Sequence, residues 1–373
     1  MNYTMKVYLD NAATTELLPS VVDEVKYVIE NVYGNPSSLH SIGLEAEKIV
    51  RNSREIIAKS LGVETGEVNF TSGATESDNT AIFGSVYANS RRGKHIITSK
   101  IEHPAVLNCF KKLEQEGFNV TYLDVDSNGI IDIDQLKNAI SDQIIFISVM
   151  AVNNEIGSIE PIREIAKLKR KYNFILHTDA VQAYTKIPCN LYNVADLISI
   201  SGHKVHALKG IGALIVKKGV KISPFILGGG QEGGFRSGTE NVPGIASFAK
   251  AVSEEADIEK ISHLREILRE GISNIKNVKI NAYNDGNSAP HILSVSFNGL
   301  RGEVLMHMLE EKGIFVSTGS ACHSNRFGES HVLSAIGLNK NEIGSTIRFS
   351  IGELNTEDEI KYCVEVLTNE LNK

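Results

Sequence analysis

Long apolar runs are missing from this sequence. The longest uncharged apolar stretch, around Ile144 to Val152, is far too short to span a bilayer, and Met1-Asn2-Tyr3-Thr4-Met5-Lys6 carries no apolar core of signal-peptide length. A cytoplasmic protein is the expectation. A basic excess is missing too. The formal net charge is −7, and Lys and Arg are scattered along predicted helices, without the clustered positive footprint that nucleic-acid phosphates require. Cysteine is scarce: Cys109, Cys189, Cys322 and Cys363 are too widely separated for the paired spacing of a zinc site and too few for a disulfide scaffold. No repeat or low-complexity segment interrupts the chain.

What is present is ordinary for a soluble protein with a large core: 373 residues, 42% hydrophobic and 22% charged. At about 150 residues per domain, two domains are expected. From 65 to 216, short β-branched runs alternate with amphipathic stretches. The runs are Val68 to Thr71, His95 to Ser99, Val120 to Leu123, Ile144 to Val149, Phe174 to Asp179, Leu197 to Ile200 and Gly212 to Val216. Helical patterns fall near 75–89, 104–116, 133–140 and 161–172. This order predicts βαβ crossovers and a mostly parallel sheet covered on both faces, an α/β fold. A helical pattern resumes over about 244–276, and Thr356-Glu357-Asp358-Glu359 is a capping box opening a C-terminal helix. The expected division is a large domain over 16–256 and a smaller one built from 1–15 and 257–373.

Several motifs have plain readings. Cys109 and Cys363 lie on apolar helical faces and are expected in the core, while Cys189 follows Pro188 in a connecting segment. Asp124-Val125-Asp126-Ser127-Asn128-Gly129 resembles the start of a calcium loop, but the twelfth position is Gln135, where a bidentate Glu is needed; a turn fits better. His203-x-x-His206 has no evident third ligand, so no metal site is assigned.

The strand Leu197 to Ile200 runs into Ser201-Gly202-His203-Lys204, which sets a lysine at the C-terminal end of a parallel strand, where open α/β sheets bind ligands. By itself Lys204 is equally readable as a surface lysine. Asp179 ends the preceding strand. An amine and a carboxylate from successive strand ends are what a pyridine-aldehyde cofactor needs: one to bind the aldehyde, the other to keep the ring nitrogen protonated. Thr71-Ser72-Gly73-Ala74-Thr75-Glu76 supplies strand, glycine turn and helix start, an arrangement that favours a phosphate. The glycine-rich run from Gly228 to Thr239 lacks the Gly-Lys-Ser/Thr ending of a nucleotide loop; its Arg236 and Thr239 suit a phosphate or a subunit contact. Cys322, in Ser317-Thr318-Gly319-Ser320-Ala321-Cys322-His323-Ser324-Asn325-Arg326-Phe327-Gly328, is surrounded by small and polar residues, with His323 and Arg326 as cations able to favour the thiolate.

Together with Tyr8-Leu9-Asp10-Asn11-Ala12-Ala13-Thr14-Thr15, Tyr33-Gly34-Asn35-Pro36-Ser37-Ser38 and Thr346-Ile347-Arg348-Phe349-Ser350, these residues resemble cysteine desulfurases of the NifS/IscS type, class V aminotransferases of the fold type I pyridoxal-phosphate enzymes. The resemblance covers nearly the whole chain. It implies that Lys204 carries pyridoxal 5'-phosphate as a Schiff base, Asp179 pairs with the ring nitrogen, Gln182 meets the phenolic oxygen, and His103 stacks on the ring and moves protons. It implies further that Ala74, Thr75, Ser201 and His203 match phosphate-site positions, with Thr239 contributed by the other subunit of a homodimer. Asn35, Asn154 and Arg348 match positions holding the substrate α-carboxylate, for which the planar arginine fork is suited, and Asn154 is expected among the cofactor-binding residues as well. The implied reaction takes sulfur from L-cysteine onto Cys322 as a persulfide, releases alanine, and hands the sulfur to an acceptor such as an iron–sulfur scaffold or a tRNA-thiolation enzyme. The chain departs from the family after Cys322, where small residues and glycine are usual, and after Lys204, where Ala207-Leu208 replaces Gly-Pro. Selenocysteine lyase, aminotransferase, and a non-catalytic sulfur-assembly subunit of the same fold are the alternatives.

Overall fold

The computed structural model describes residues 5–283, 286–318 and 330–371. Cys322 and its neighbours His323, Arg326 and Phe327 lie outside the described residues. The main sheet has seven strands in the spatial order Val68–Thr71, Gly212–Val216, Leu197–Ser201, Ile175–Asp179, Ile144–Ser148, His95–Ser99, Asn119–Leu123. All neighbours run parallel except Gly212–Val216, which is antiparallel to both strands beside it.

The central strands are buried along their whole length, which is why they read as continuous apolar runs. Successive residues point to opposite faces. Ile97, Ile147, Leu176 and Ile198 pack with the helices Pro19–Asn31, Ser41–Leu61 and Val242–Ser253. Their neighbours Ile96, Phe146, Ile175 and Leu197 pack with Ala74–Asn89 and Pro104–Gln115. A second sheet, antiparallel, joins Ser317–Thr318, Thr346–Ser350, Ile292–Phe297 and Val278–Asn281. Its core includes side chains from the helices Ile258–Ser273 and Glu357–Leu371, and also Val7 and Leu9. Val7–Tyr8 pairs in parallel with Ile314–Phe315, so the start of the chain is woven into the C-terminal part.

The expected strands all form, within a residue or two of their predicted limits. The single helical pattern over 244–276 becomes two helices, because Asp257 turns the chain and its carboxylate accepts the Lys260 N–H at 2.9 Å to cap the second one. The pattern over 161–172 yields only Ile162–Leu168. The C-terminal capping box forms in both directions: Thr356 N–H donates to Glu359 Oε2 at 3.0 Å and Glu359 N–H to Thr356 Oγ1 at 3.3 Å. Cys109 and Cys363 are core residues. The calcium-like segment is a turn in which Asp126 Oδ1 accepts the N–H groups of Asn128 and Ile130. Replacing Asp257 by Ala is expected to cost about 1 kcal/mol locally, seen as faster amide exchange over Ile258–Ser273 with little change elsewhere; unchanged protection there contradicts this cap assignment.

Candidate active site

Lys204 follows directly from the Leu197–Ser201 strand, in the short turn Gly202–Lys204. Its Nζ donates to the carbonyls of Ala12 at 2.6 Å and Ala13 at 2.7 Å. Asp179, the last residue of the adjacent strand, is buried and accepts the Val181 N–H at 2.9 Å. Burial raises its pKa, and the Lys204 charge works against that rise. Gln182 lies one turn further on. Its Nε2 donates to Ala12 O at 2.9 Å and its Oε1 faces His291 Nε2 at 3.1 Å, so the amide is held from both ends.

His103 caps the helix Pro104–Gln115, with Nδ1 accepting the Ala105 N–H at 3.2 Å. A ring that accepts at Nδ1 carries its proton on Nε2 when neutral. His203 Nδ1 meets Thr14 Oγ1 at 3.2 Å; burial and the charges of Lys204, Lys209 and Lys186 push its pKa down to about 4, so it is neutral at physiological pH.

The helix Ala74–Asn89 begins at Gly73, which has no side chain to cap it and adopts φ 150°. A Cβ on Gly212 would come within 2.7 Å of Gly73 Cα. Glycine at both positions lets the helix start close onto the sheet, where Gly212 stands level with Thr71 on one side and Ser201 on the other. Ala74, Thr75 and Ser201 therefore gather at one sheet end beside uncapped N–H groups, an anion cradle. Thr239 is exposed on the glycine-rich run. That run is anchored to the same helix start because Arg236 grips Glu76 with bonds of 2.8 and 3.1 Å. Arg236, expected to suit a phosphate or a subunit contact, is paired with this carboxylate.

Arg348 projects from Thr346–Ser350 and is buried. Its NH1 donates to Asn154 O at 2.9 Å and its NH2 to Asp10 Oδ1 at 2.7 Å, while Nε–H has no hydrogen-bond partner among the described residues. Arg348 and Asn154 are thus brought together. Asn35 is not joined to them: it is exposed, and its Oδ1 caps the Ser37 N–H at 2.9 Å.

The model of the aminotransferase class-V family matches residues 7–363. The cysteine desulfurase IscS of Clostridium botulinum is 46% identical over 370 residues, 97% of this chain and 93% of that protein. The chain belongs to the class V aminotransferases, among their cysteine desulfurases. The corresponding protein of Dictyoglomus turgidum is 44% identical over 99% of this chain and 95% of its own. A solved NifS-like protein, 39% identical, superposes with a TM-score of 0.91 over 99% of this chain and all of its own length.

Ala207-Leu208 stands where the resemblance leads one to expect Gly-Pro. Leu208 has the N–H that proline lacks, and donates it to Ser247 Oγ at 3.3 Å. His206 stands at φ 67° and is fixed by its N–H to Thr15 Oγ1 at 2.7 Å and by Nδ1 to Glu16 O at 2.7 Å.

Sequence reasoning missed four buried groups here. Lys186 Nζ donates to the Lys204 carbonyl at 2.7 Å; burial, opposed by Glu353, lowers its pKa to about 8. His291 steadies Gln182. Asp78 is fully buried, with Oδ1 3.6 Å from His177 Nε2. Glu102, next to His103, accepts from Ser99 Oγ at 2.5 Å and Met150 N–H at 3.0 Å. Only the first has a signal in the sequence, a lysine inside the Asp179-to-Lys204 crossover.

Three glutamates beside or behind the site are buried acids. Burial lifts Glu102 to about 8, Glu155 to about 7 and Glu160 to about 8. Each binds its proton more tightly in the folded chain than in the unfolded one, so its stabilisation is complete below the unfolded pKa and is lost as pH rises through the folded value. Glu160→Gln, neutral at every pH, should gain in Tm on the native chain between about pH 5 and about pH 8. A pH-independent difference in Tm contradicts the assignment.

Proposed function

We propose that the chain is a pyridoxal-phosphate-dependent cysteine desulfurase. It converts L-cysteine to L-alanine and transfers the sulfur to Cys322 as a persulfide, from which an acceptor protein such as an iron–sulfur scaffold or a tRNA-thiolation enzyme takes it. The observation that carries this reading is the convergence of Lys204 and Asp179 from the ends of adjacent strands beside an uncapped helix start.

The residues present fit the cofactor. An amine seated on carbonyls, a buried carboxylate and an anion cradle that a Cβ on Gly212 would crowd are its three chemical requirements. Lys204 would hold the aldehyde, Asp179 the ring nitrogen, Gln182 the phenolic oxygen and His103 the ring face. Ala74, Thr75, Ser201 and His203 would hold the phosphate, with Thr239 supplied by a second copy of the chain. When bound, the cofactor supplies the electron sink for chemistry at the substrate Cα.

Arg348 and Asn154, with Asn35, are assigned to the substrate carboxylate; the buried Arg348 Nε–H, without a hydrogen-bond partner among the described residues, is a donor in reserve. Lys204 Nζ takes the Cα proton, and the Ala12 and Ala13 carbonyls keep that nitrogen at the reacting carbon. His103, with its proton on Nε2, serves proton return. Cys322 Sγ attacks as the thiolate: the S–S bond forms as the substrate Cβ–S bond breaks, and the carbon skeleton leaves as alanine.

A homodimer is part of the proposal, because Thr239 is assigned to the phosphate of a second copy of the chain. Among the described residues no helix is long and apolar enough to cross a membrane, and we assign the chain to the cytoplasm.

Replacing Cys322 with Ser is expected to leave the absorption of the bound cofactor intact while abolishing the protein persulfide and sulfide release from cysteine. Undiminished cysteine turnover in that variant would rule out the desulfurase reading in favour of another reaction of the fold.

A further inference from the structure

The pyridoxal-phosphate site proposed above requires Asp179 to be an anion, and a second buried carboxyl, Asp78, stands beside His177, which is two residues before Asp179 on the same face of the strand. Asp78, in the second turn of Ala74–Asn89, is fully buried, and neither of its oxygens has a hydrogen-bond partner among the described residues. The nearest base, His177 Nε2, is 3.6 Å from Asp78 Oδ1. That ring is already engaged by Ser148 Oγ at 2.8 Å and Ser199 Oγ at 3.0 Å, and burial pushes its pKa down to about 3, so it supplies no compensating charge.

We propose that Asp78 holds the one proton of a buried carboxyl pair, and that by remaining a neutral acid it keeps Asp179 the anion that faces the ring nitrogen. The asymmetry of the two environments decides which member is protonated. Asp179 accepts the Val181 N–H and feels the Lys204 charge; Asp78 has neither. Two adjacent carboxyls in a low-dielectric site do not both ionise, and the proton settles on the less supported one.

Among the other groups around Asp78, the nearby Ser199 hydroxyl favours the anion, but burial outweighs it. Glu102, after the His95–Ser99 strand, raises its pKa further, and Cys109 on Pro104–Gln115 is itself pushed up to about 12 by burial and by Asp78. No cation is among them. Asp78 is therefore a positioning residue: as a neutral acid it places no second negative charge near Asp179, a charge that would raise the Asp179 pKa and favour its protonation.

The test is infrared spectroscopy of the full chain loaded with pyridoxal phosphate, unlabelled and labelled with [13C]aspartate. The label separates aspartic acid from the buried glutamic acids Glu102 and Glu160. The expected result at neutral pH is a carboxylic-acid carbonyl band that moves with the aspartate label and is absent from Asp78→Asn, whose cofactor affinity stays within about threefold of the native value. Absence of an aspartic-acid band in the native, labelled protein overturns the proposal without any variant having to fold. So does a band that survives in Asp78→Asn, or a loss of affinity beyond about tenfold in that variant while it remains folded, because an ionised Asp78 would then be the working form. The same band can be sought in the cofactor-free chain, so failure of the cofactor assignment is distinguished from failure of this one.

Discussion

The Lys204 ammonium rests on the carbonyls of Ala12 and Ala13, and the site is arranged around that seat. The segment that provides it belongs to both halves of the molecule. On one side Leu9 N–H donates to Phe315 O at 2.8 Å and Ser350 N–H to Leu9 O at 2.7 Å, which ties it to the C-terminal part. On the other side Thr15 N–H donates to His203 O at 3.0 Å, and His206 N–H closes onto Thr15 Oγ1. Asp10 meanwhile holds Arg348, and Ala12 O also receives Gln182. One short stretch of backbone thereby sets the spacing between the amine that would work on Cα and the guanidinium that would hold the carboxylate, a requirement of catalysis by orientation.

Burial of so many ionisable groups is tolerable because each is paired or discharged. Asp179 and Lys204 are mutually stabilised charges. Lys186 spends its ammonium on the Lys204 carbonyl, while His203, His206 and His291 are neutral rings, their pKa values lowered chiefly by burial. Glu102 and Glu160 keep their protons. The result is a largely uncharged pocket wall with a few charges set at the points where chemistry would need them, the condition under which electrostatic preorganisation is strongest.

Much of this was legible in the sequence, for identifiable reasons. Lys204 and Asp179 end apolar runs, and strand ends can be found from composition alone. The seven strands were visible because the central ones are covered on both faces, so their first positions read as short β-branched and apolar runs, with the polar residues gathered toward the ends that face the site. Gln182, Asn154 and Arg348 needed the family resemblance, since their partners are distant in the chain: Gln182 meets His291, and Arg348 meets Asp10 and Asn154. Asp78 was illegible in principle. A helical aspartate ordinarily points to solvent, and only the packing of that helix onto the strands shows that this one does not. The break at Asp257 was missed because the apolar spacing continues across it while the cap is a single polar residue.

The central claim is that Lys204 is the covalent anchor of the cofactor. Borohydride reduction of the native protein, followed by proteolysis and mass mapping, tests it most directly. The account predicts a pyridoxyl adduct on Lys204; an adduct on any other lysine, Lys186 included, or none at all, would contradict it.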